Sequence, residues 1–316
     1  MESRALGRTD VSVSRVGLGG FELGGGEELT LDEAGAALGA ALAAGVSWVD
    51  TAEAYLDTAN ESFIGELLKR MGLGGEELMI SSKLLPGPDG SGFRPDEVRR
   101  GCEASLARLG RDRLDIYLLH EPDDTGVPLE DTWQAMSELV EQGLVRAIGL
   151  SNFTLDDVKR CHALRAVDLV QDGLSLIDRL GNRELFARCG ELGIGVVAYE
   201  PLGSGMLGGK EIEELRIAWA DWSEWGFYKR LLAGENGDKS AAFVEALRPL
   251  AAELGVSLSQ LAIAWVLHQD GVTSVLAGSA NPEHVHTNAE AAAVQLPPTV
   301  LDRLEALIPL GPTFGG

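Results

Sequence analysis

Four polar residues of different chemistry, Asp50, Tyr55, Lys83 and His120, stand at or just past the ends of short apolar runs. An acid, a phenol, an amine and an imidazole that face one pocket suit proton transfer to a carbonyl oxygen. The sequence therefore predicts an enzyme, provided that the fold brings these residues together.

The apolar runs are typical of buried strands. They cover residues 46–49, 78–81 and 116–119, and each lies between helix-like segments. Where strands alternate with helices the sheet is parallel, and catalytic side chains collect at the carboxyl ends of the strands. This arrangement would place the four polar side chains at one end of the sheet.

The strand–helix pattern repeats along the chain and predicts one α/β domain over residues 1–316, a (β/α)8 TIM barrel. An N-terminal β-hairpin, within residues 3–13, is expected to cap the bottom of the barrel. A helix is expected to start at the capping box Thr30 to Glu33. The eight strand ends fall near Leu18, Asp50, Lys83, His120, Leu150, Gln171, Tyr199 and Ala277. The last interval is more than twice the length of a single strand–helix step, which predicts an extended loop after strand 7.

Composition excludes several classes of protein. The chain has 26 basic and 49 acidic residues, a formal net charge of −23, and a surface this acidic repels phosphate backbones. We therefore expect no nucleic-acid partner. No apolar run is long enough to span a bilayer and no signal peptide is recognised, so we expect a cytoplasmic protein without a membrane partner. The three cysteines are widely spaced, so no metal site is expected.

A family resemblance extends over nearly the whole chain. Residues 45–55, Gly-Val-Ser-Trp-Val-Asp-Thr-Ala-Glu-Ala-Tyr, resemble the G-x-x-x-x-D-T-A-x-x-Y signature of the aldo-keto reductase superfamily. Similar segments follow in order at 82–83, 115–120, 149–153, 171, 199–207, 278–279 and 282–288. One such motif is weak evidence, whereas eight segments in the same order make coincidence very improbable.

The resemblance implies a role for each polar residue. Tyr55 would be the general acid in reduction and the base in oxidation, while hydride passes between nicotinamide C4 and the carbonyl carbon. A free tyrosine has a pKa near ~10, and we expect the Lys83 ammonium to lower it. Asp50 would pair with Lys83, and His120 would hydrogen-bond and orient the substrate oxygen.

The cofactor site has no Gly-x-Gly-x-x-Gly loop after the first strand, so we expect it at the loops after strands seven and eight. The resemblance places the nicotinamide against Tyr199. The expected cofactor-binding residues are Gly20, Phe21, Asp50, Ser151, Asn152, Gln171, Tyr199, Pro201, Leu202, Gly203, Ser204, Gly205, Leu207, Gly278, Ser279, His284 and Asn288.

Cofactor choice stays open at this stage. NADP-preferring relatives usually place a basic residue at or just after the Gly-Ser position, whereas Gly278, Ser279 and Ala280 carry no charge. His284 is the only nearby candidate, and an imidazole binds a phosphate dianion less well than a guanidinium does. We expect NADP from the family resemblance, with NAD as the alternative.

Tryptophans are the candidate substrate contacts, together with Tyr55 and His120. Trp222 and Trp225, with Trp219, lie in the insertion after strand seven and could roof the pocket or only anchor the insertion. Trp48 could reach the pocket from the second strand or belong to the core.

Two other functions remain open. A regulatory subunit that senses its cofactor, resembling the β subunits of voltage-gated potassium channels, would keep the fold and act through a partner. A Schiff-base lyase would use Lys83 as its nucleophile. We expect a monomeric or weakly associating oxidoreductase. Its binding partner would be a small-molecule carbonyl or alcohol substrate, with sugar aldehydes among the candidates.

Overall fold

Eight parallel strands close into a barrel in the computed structural model of the chain, which describes residues 1–24, 29–75, 78–87, 91–178, 182–224 and 226–308. Each strand pairs with the next along the chain, and the last pairs with the first. The barrel strands are β3 Val16–Gly19, β4 Trp48–Asp50, β5 Met79–Leu84, β6 Leu114–Leu119, β7 Val145–Ser151, β8 Leu169–Gly173, β9 Gly195–Tyr199 and β10 Ser274–Gly278. The predicted (β/α)8 barrel is confirmed.

The N-terminal hairpin closes one end of the barrel, as predicted. Its strands β1 Ser3–Ala5 and β2 Ser12–Ser14 pair antiparallel, with Ser3 opposite Ser14. The side chains of Leu6, Val11 and Val13 are fully buried and pack on the inward residues of the barrel strands. The hairpin therefore works as an apolar plug at the amino ends of the strands.

Helices surround the barrel. They are α1 Leu31–Ala43, α2 Ala59–Arg70, α3 Pro95–Leu109, α4 Leu129–Glu141, α5 Leu155–Leu164, α6 Asn182–Leu192, α7 Ile212–Ala218, α8 Gly226–Leu231, α9 Gly234–Leu254, α10 Leu258–Leu267, α11 Pro282–Glu290 and α12 Pro298–Leu307. The predicted capping box is present: Thr30 accepts from the Glu33 amide, and the Glu33 side chain accepts from the Thr30 amide.

The connection from β9 to β10 is long, as predicted. Its described part contains short 3₁₀ helices at Met206–Gly208 and Ala220–Trp222, followed by α8, α9 and α10. α10 is buried over almost its whole length and forms part of the layer that covers the barrel.

No single described helix is both long and apolar enough to cross a bilayer, and α9 with α10 meets the length and composition criterion only as a pair bent by 87°.

Candidate active site

The site is built around a buried ion pair at the carboxyl ends of β4 and β5. Lys83 Nζ donates to Asp50 Oδ2 at 2.6 Å, to the Thr51 carbonyl at 2.9 Å and to the Tyr55 hydroxyl at 3.2 Å. An ammonium has three protons, so each has an acceptor. The Lys83 residue is only 1% exposed. Burial is the largest single influence and acts to lower its pKa, but the Asp50 carboxylate and the Tyr55 oxygen together outweigh burial, so the pKa of Lys83 is raised. The amine is therefore held as a cation.

Asp50 is fixed by two further donors. Its Oδ1 accepts from Ser81 Oγ at 2.6 Å and from Gln171 Nε2 at 3.1 Å. All three donor side chains come from barrel strands, because alternate strand residues point to the barrel interior. The carboxylate is thus locked in one orientation toward Lys83.

Tyr55 lies in the loop between β4 and α2, and its hydroxyl faces the ion pair. Because this oxygen accepts from Lys83, its own proton is directed elsewhere. Burial raises the pKa of Tyr55, and the nearby Lys83 ammonium offsets that rise only in part. The expectation of a lowered pKa is wrong for this structure, because desolvation of the phenolate exceeds the Coulomb attraction. Tyr55 is accordingly a protonated phenol at neutral pH.

His120 completes the predicted set at the end of β6. Its ring lies edge-on to Tyr55, with ring centroids 5.8 Å apart. Burial, with the Lys83 charge as a second cause, lowers the pKa of His120 to about 3, so the imidazole is neutral. Nδ1 is buried and has no hydrogen-bond partner among the described residues, which leaves Nε2 as the ring nitrogen open to a ligand. The four residues that sequence reasoning selected are therefore brought together.

Asn152 links the neighbouring strand ends. Its Nδ2 donates to the His120 carbonyl at 2.9 Å and to Ser151 Oγ at 3.2 Å, and its Oδ1 accepts from the Tyr199 hydroxyl at 2.6 Å. Asn152 is exposed and has φ +65°, whereas Ser151 is buried. Tyr199 is half-buried at the end of β9. Four of the expected cofactor residues, including Gln171, thus lie beside Asp50, Tyr55, Lys83 and His120.

The loop after β9 is a tight left-handed turn. Gly203, Ser204 and Gly205 have φ of +53°, +53° and +93°, a region that glycine enters without steric cost. A Cβ on Gly203 would lie 2.4 Å from Ile177, so the turn also needs glycine for close packing. Pro201 and Leu207 are buried and support this turn, and Leu202 is half-buried.

The loop after β10 leads directly into α11. Gly278 ends the strand, and Ser279 Oγ accepts from the Asn281 amide just before the helix starts. His284 is exposed and Asn288 is 4% exposed; they are four residues apart and so share a helix face. This loop presents a helix N-terminus at the open end of the barrel.

Gly20 and Phe21 approach the site from β3. The Gly20 amide donates to the Asp50 carbonyl at 2.7 Å. Phe21 is 38% exposed and meets the Tyr55 ring edge-on, with centroids 5.2 Å apart. Phe21 therefore forms an apolar wall beside the Tyr55 ring.

The loops fit a dinucleotide in most respects. The Tyr199 ring offers a face for a nicotinamide, and the glycine turn and the α11 N-terminus suit phosphates. Glu22 is the exception: a Cβ on Gly278 would lie 1.8 Å from Glu22 Oε2, so this carboxylate rests on the β10 loop. A phosphate at Gly278 would have to displace it.

The tryptophans behave differently from one another. Trp48 is fully buried beneath Asp50 in the barrel interior. Of the two positions that the sequence left open, the pocket and the core, Trp48 therefore occupies the core. Trp219 Nε1 donates to the Ser204 carbonyl at 3.0 Å, so this indole anchors the insertion. The side chain of Trp222 and all of Trp225 lie outside the described residues.

Sequence reasoning missed two residues of the site. Ser81 stands two residues before Lys83 in the same strand, and this period-2 spacing is the signal that could have placed it on the inward face. Glu22 has no comparable signal, because its contact with Gly278 joins residues distant in sequence.

Comparison with known proteins gives consistent results. Residues 15–309 match the model of the Aldo/keto reductase family. A probable aldo-keto reductase 1 of Glycine max is 34% identical over 320 aligned positions, covering 98% of this chain and 90% of that protein. A probable voltage-gated potassium channel subunit beta of Oryza sativa subsp. japonica is 31% identical, covering 98% and 97%. A crystal structure of a thermostable aldo-keto reductase with the inhibitor epalrestat superposes with a TM-score of 0.76 at 29% identity, covering 97% of this chain and 100% of that one.

Proposed function

We propose, since this chain belongs to the aldo/keto reductase family, that it interconverts aldehydes or ketones with alcohols and uses Tyr55 as general acid and base. Family and fold support NAD(P)-dependent oxidoreduction in general. The observation that carries the finer proposal is the 3.2 Å contact between the Tyr55 hydroxyl and a buried ammonium.

Each catalytic residue has a distinct task in reduction. When bound, the nicotinamide cofactor supplies the hydride that adds to the carbonyl carbon. Tyr55 gives its proton to the carbonyl oxygen, and the O–H bond of the phenol breaks as that of the alcohol forms. Lys83 stabilises the phenolate left on Tyr55, and Asp50 keeps Lys83 in place.

His120 would orient the substrate rather than donate a proton. A neutral imidazole carries one N–H, and Nε2 is the nitrogen open to the site because Nδ1 is buried. A hydrogen bond from Nε2 to the carbonyl oxygen would hold that oxygen near the Tyr55 hydroxyl. The 5.8 Å ring separation supports this sharing of one oxygen.

We propose NADP as the cofactor, with NAD as the alternative. Family resemblance favours NADP, whereas the uncharged residues Gly278, Ser279 and Ala280 and the Glu22 carboxylate on Gly278 provide no cation for a 2′-phosphate. The candidate binding residues are Gly20, Phe21 and Asp50 together with the expected residues described above from β7 to α11. Trp222 and Trp225 stay predictions for the substrate side.

The regulatory alternative is kept because of one observation, the 31% identity to a probable potassium channel β subunit over 98% of this chain. In that case the same pocket would bind cofactor and the output would be a protein partner. The Lys83 lyase reading is disfavoured. A Schiff-base nucleophile must be a neutral amine, and the pKa of Lys83 is raised beside Asp50.

A turnover assay tests the proposal. Purified protein is mixed with small aldehydes, ketones and sugars and with NADPH or NADH, and loss of nicotinamide absorbance is followed. We expect consumption that falls by ~10²–10⁴ in Tyr55→Phe and stays unchanged in Tyr228→Phe, a half-buried tyrosine on α8.

The outcomes separate the functions. Cofactor binding without turnover of any substrate would contradict the enzyme and favour the regulatory reading. Trapping of a carbonyl substrate on Lys83 by borohydride would favour the lyase. Equal dissociation constants for NADPH and NADH would remove the preference for NADP.

A further inference from the structure

The catalytic tyrosine sits in a strained loop. Tyr55 is followed by Leu56, Asp57 and Thr58, whose φ values are +51°, +50° and +71°. None of them is glycine, and non-glycine residues seldom adopt the left-handed region because it brings Cβ too close to the backbone. Such a loop keeps its shape only where surrounding contacts over-determine it. Those contacts lie on both sides of Tyr55.

Glu53 holds the start of the loop to β5. Its amide donates to the Lys83 carbonyl at 3.2 Å, and its Oε1 accepts from the Leu85 amide at 2.8 Å. These two bonds fall on the Lys83 carbonyl and on the Leu85 amide, on either side of Leu84. The approach of the loop to the ammonium is therefore fixed two residues before Tyr55.

Glu61 holds the end of the loop. It lies in the first turn of α2 and is fully buried, and Ser82 Oγ donates to its Oε1 at 2.5 Å. Ser82 is the neighbour of Lys83. The strand that carries the ammonium thus makes a second contact, with the start of the helix that follows the loop, six residues after Tyr55.

One guanidinium joins the two carboxylates. Arg108, near the end of α3, donates from Nε to Glu61 Oε2 at 2.5 Å, and its Nη2 lies 3.7 Å from Glu53 Oε2. Its Nη2 also donates to Ser105 Oγ at 3.2 Å. The Arg108 side chain is 21% exposed. A planar fork can serve two acceptors at once, which a lysine ammonium does less well.

We propose that Arg108 is a positioning residue that holds the Tyr55 hydroxyl against Lys83 by clamping Glu53 and Glu61. The inference rests on the proposed function, in which that hydroxyl is the proton donor. Without Arg108 the two carboxylates would face each other in a half-buried space, and they repel. Repulsion would separate the two ends of the loop and loosen the contact between Tyr55 and Lys83.

The pKa of Glu53 supports this arrangement. This pKa is raised, by burial first; the bond from the Leu85 amide lowers it, the Glu61 charge raises it and Arg108 lowers it. Arg108 thus acts on Glu53 in the sense that favours the charged carboxylate bonded to the strand.

The first test is Arg108→Met, measured for kcat, KM and cofactor dissociation constant. We expect kcat to fall by ~10–100-fold, a fraction of the effect of the proton donor itself, with the cofactor dissociation constant within about twofold of wild type. In a Tyr55→Phe background the same change should cost nothing further, because Arg108 acts through Tyr55. Additive losses would overturn the proposal.

The matched control is Arg146→Met. Arg146 pairs with Asp115 at 3.0 Å, is 24% exposed and lies at the hairpin end of the barrel. Loss of this ion pair should lower stability and leave kcat unchanged. A kcat in Arg108→Met that equals that of Arg146→Met would mean that Arg108 is only structural.

A second variant and a second readout keep the test decisive. Arg108→Met with Glu53→Gln removes the repulsion and should recover part of the lost kcat and of any lost folding yield. Hydrogen exchange of amides 51–60 should speed up in Arg108→Met and not in Arg146→Met, even in protein that turns over no carbonyl. Wild type without turnover would refute the proposed function alone, whereas unchanged loop exchange would refute the role of Arg108.

Discussion

The two ends of the barrel are built from the same strands by opposite means. At the hairpin end, Leu6, Val11, Val13 and Trp48 are fully buried in an apolar layer. At the open end a charged lysine is buried to a similar depth. Trp48 and Asp50 stand two residues apart in β4 and point the same way, so one strand serves both ends. Packing stabilises the first end, whereas the second confines charge in low dielectric, where it can act on a proton.

Backbone strain follows the same division. In the described residues all six non-glycine positions with positive φ, Leu56, Asp57, Thr58, Asn152, Glu200 and Ser204, follow barrel strands at the open end. Strain of this kind concentrates at functional sites. We therefore expect substitutions at the hairpin end to leave activity unchanged. Substitutions at the open end should lower stability.

Breaking the buried ion pair should give the largest effect. Lys83→Met leaves Asp50 buried without its cation, so we expect about 3–5 kcal/mol of destabilisation and a rate loss of ~10²–10⁴. Denaturant unfolding and turnover assays measure both. Lys83→Met combined with Asp50→Asn should be more stable than Lys83→Met alone; an equally unstable double variant would argue that the pair is not electrostatically coupled.

Opening a cavity in the apolar plug should affect stability alone. Leu6→Ala removes a fully buried side chain, and we expect a loss of about 3 kcal/mol with kcat and KM unchanged in the folded fraction. Thermal unfolding and steady-state kinetics on the same sample provide the check. A changed KM would show that the two ends are coupled.

The raised pKa of Tyr55 sets the direction of pH dependence. Alcohol oxidation needs the phenolate, so its kcat/KM should rise about tenfold per pH unit through the neutral range, while reduction, which needs the phenol, stays level there. Rate profiles in both directions test this. An oxidation rate that levels off below neutral pH would contradict a raised pKa.

The last effect concerns acid stability and builds up over several pH units. The pKa of His120 is lowered to about 3 in the folded protein, so between its ordinary value and pH 3 the unfolded chain binds a proton that the folded chain does not. Stability is lost as pH falls through this window, by about 1 kcal/mol per pH unit. The unfolding free energy of His120→Asn should decline less steeply with falling pH than that of wild type over the same range. Equal slopes in the two proteins would mean that His120 is solvated and that its pKa is not lowered by folding.

Much of the fold and of the candidate site was predictable from the sequence, because strand ends and family motifs are local in sequence. The barrel, the hairpin and the clustering of the four residues proposed for catalysis follow from short runs and their spacing, and the same reasoning could have identified Ser81. The pKa of Tyr55 was not, because it depends on a balance between burial and the Lys83 charge that only three-dimensional packing fixes. The roles of Glu22 and Arg108 were not predicted for a related reason, since their contacts join segments that are distant in sequence.

The most direct test of the central claim is the rate of hydride transfer in a single turnover, with wild type and Tyr55→Phe each saturated with cofactor before a neutral aldehyde is added. The account predicts that the variant binds cofactor as wild type does and transfers hydride at least about a hundredfold more slowly. Equal rates in the two proteins would mean that the phenol beside Lys83 is not the proton donor.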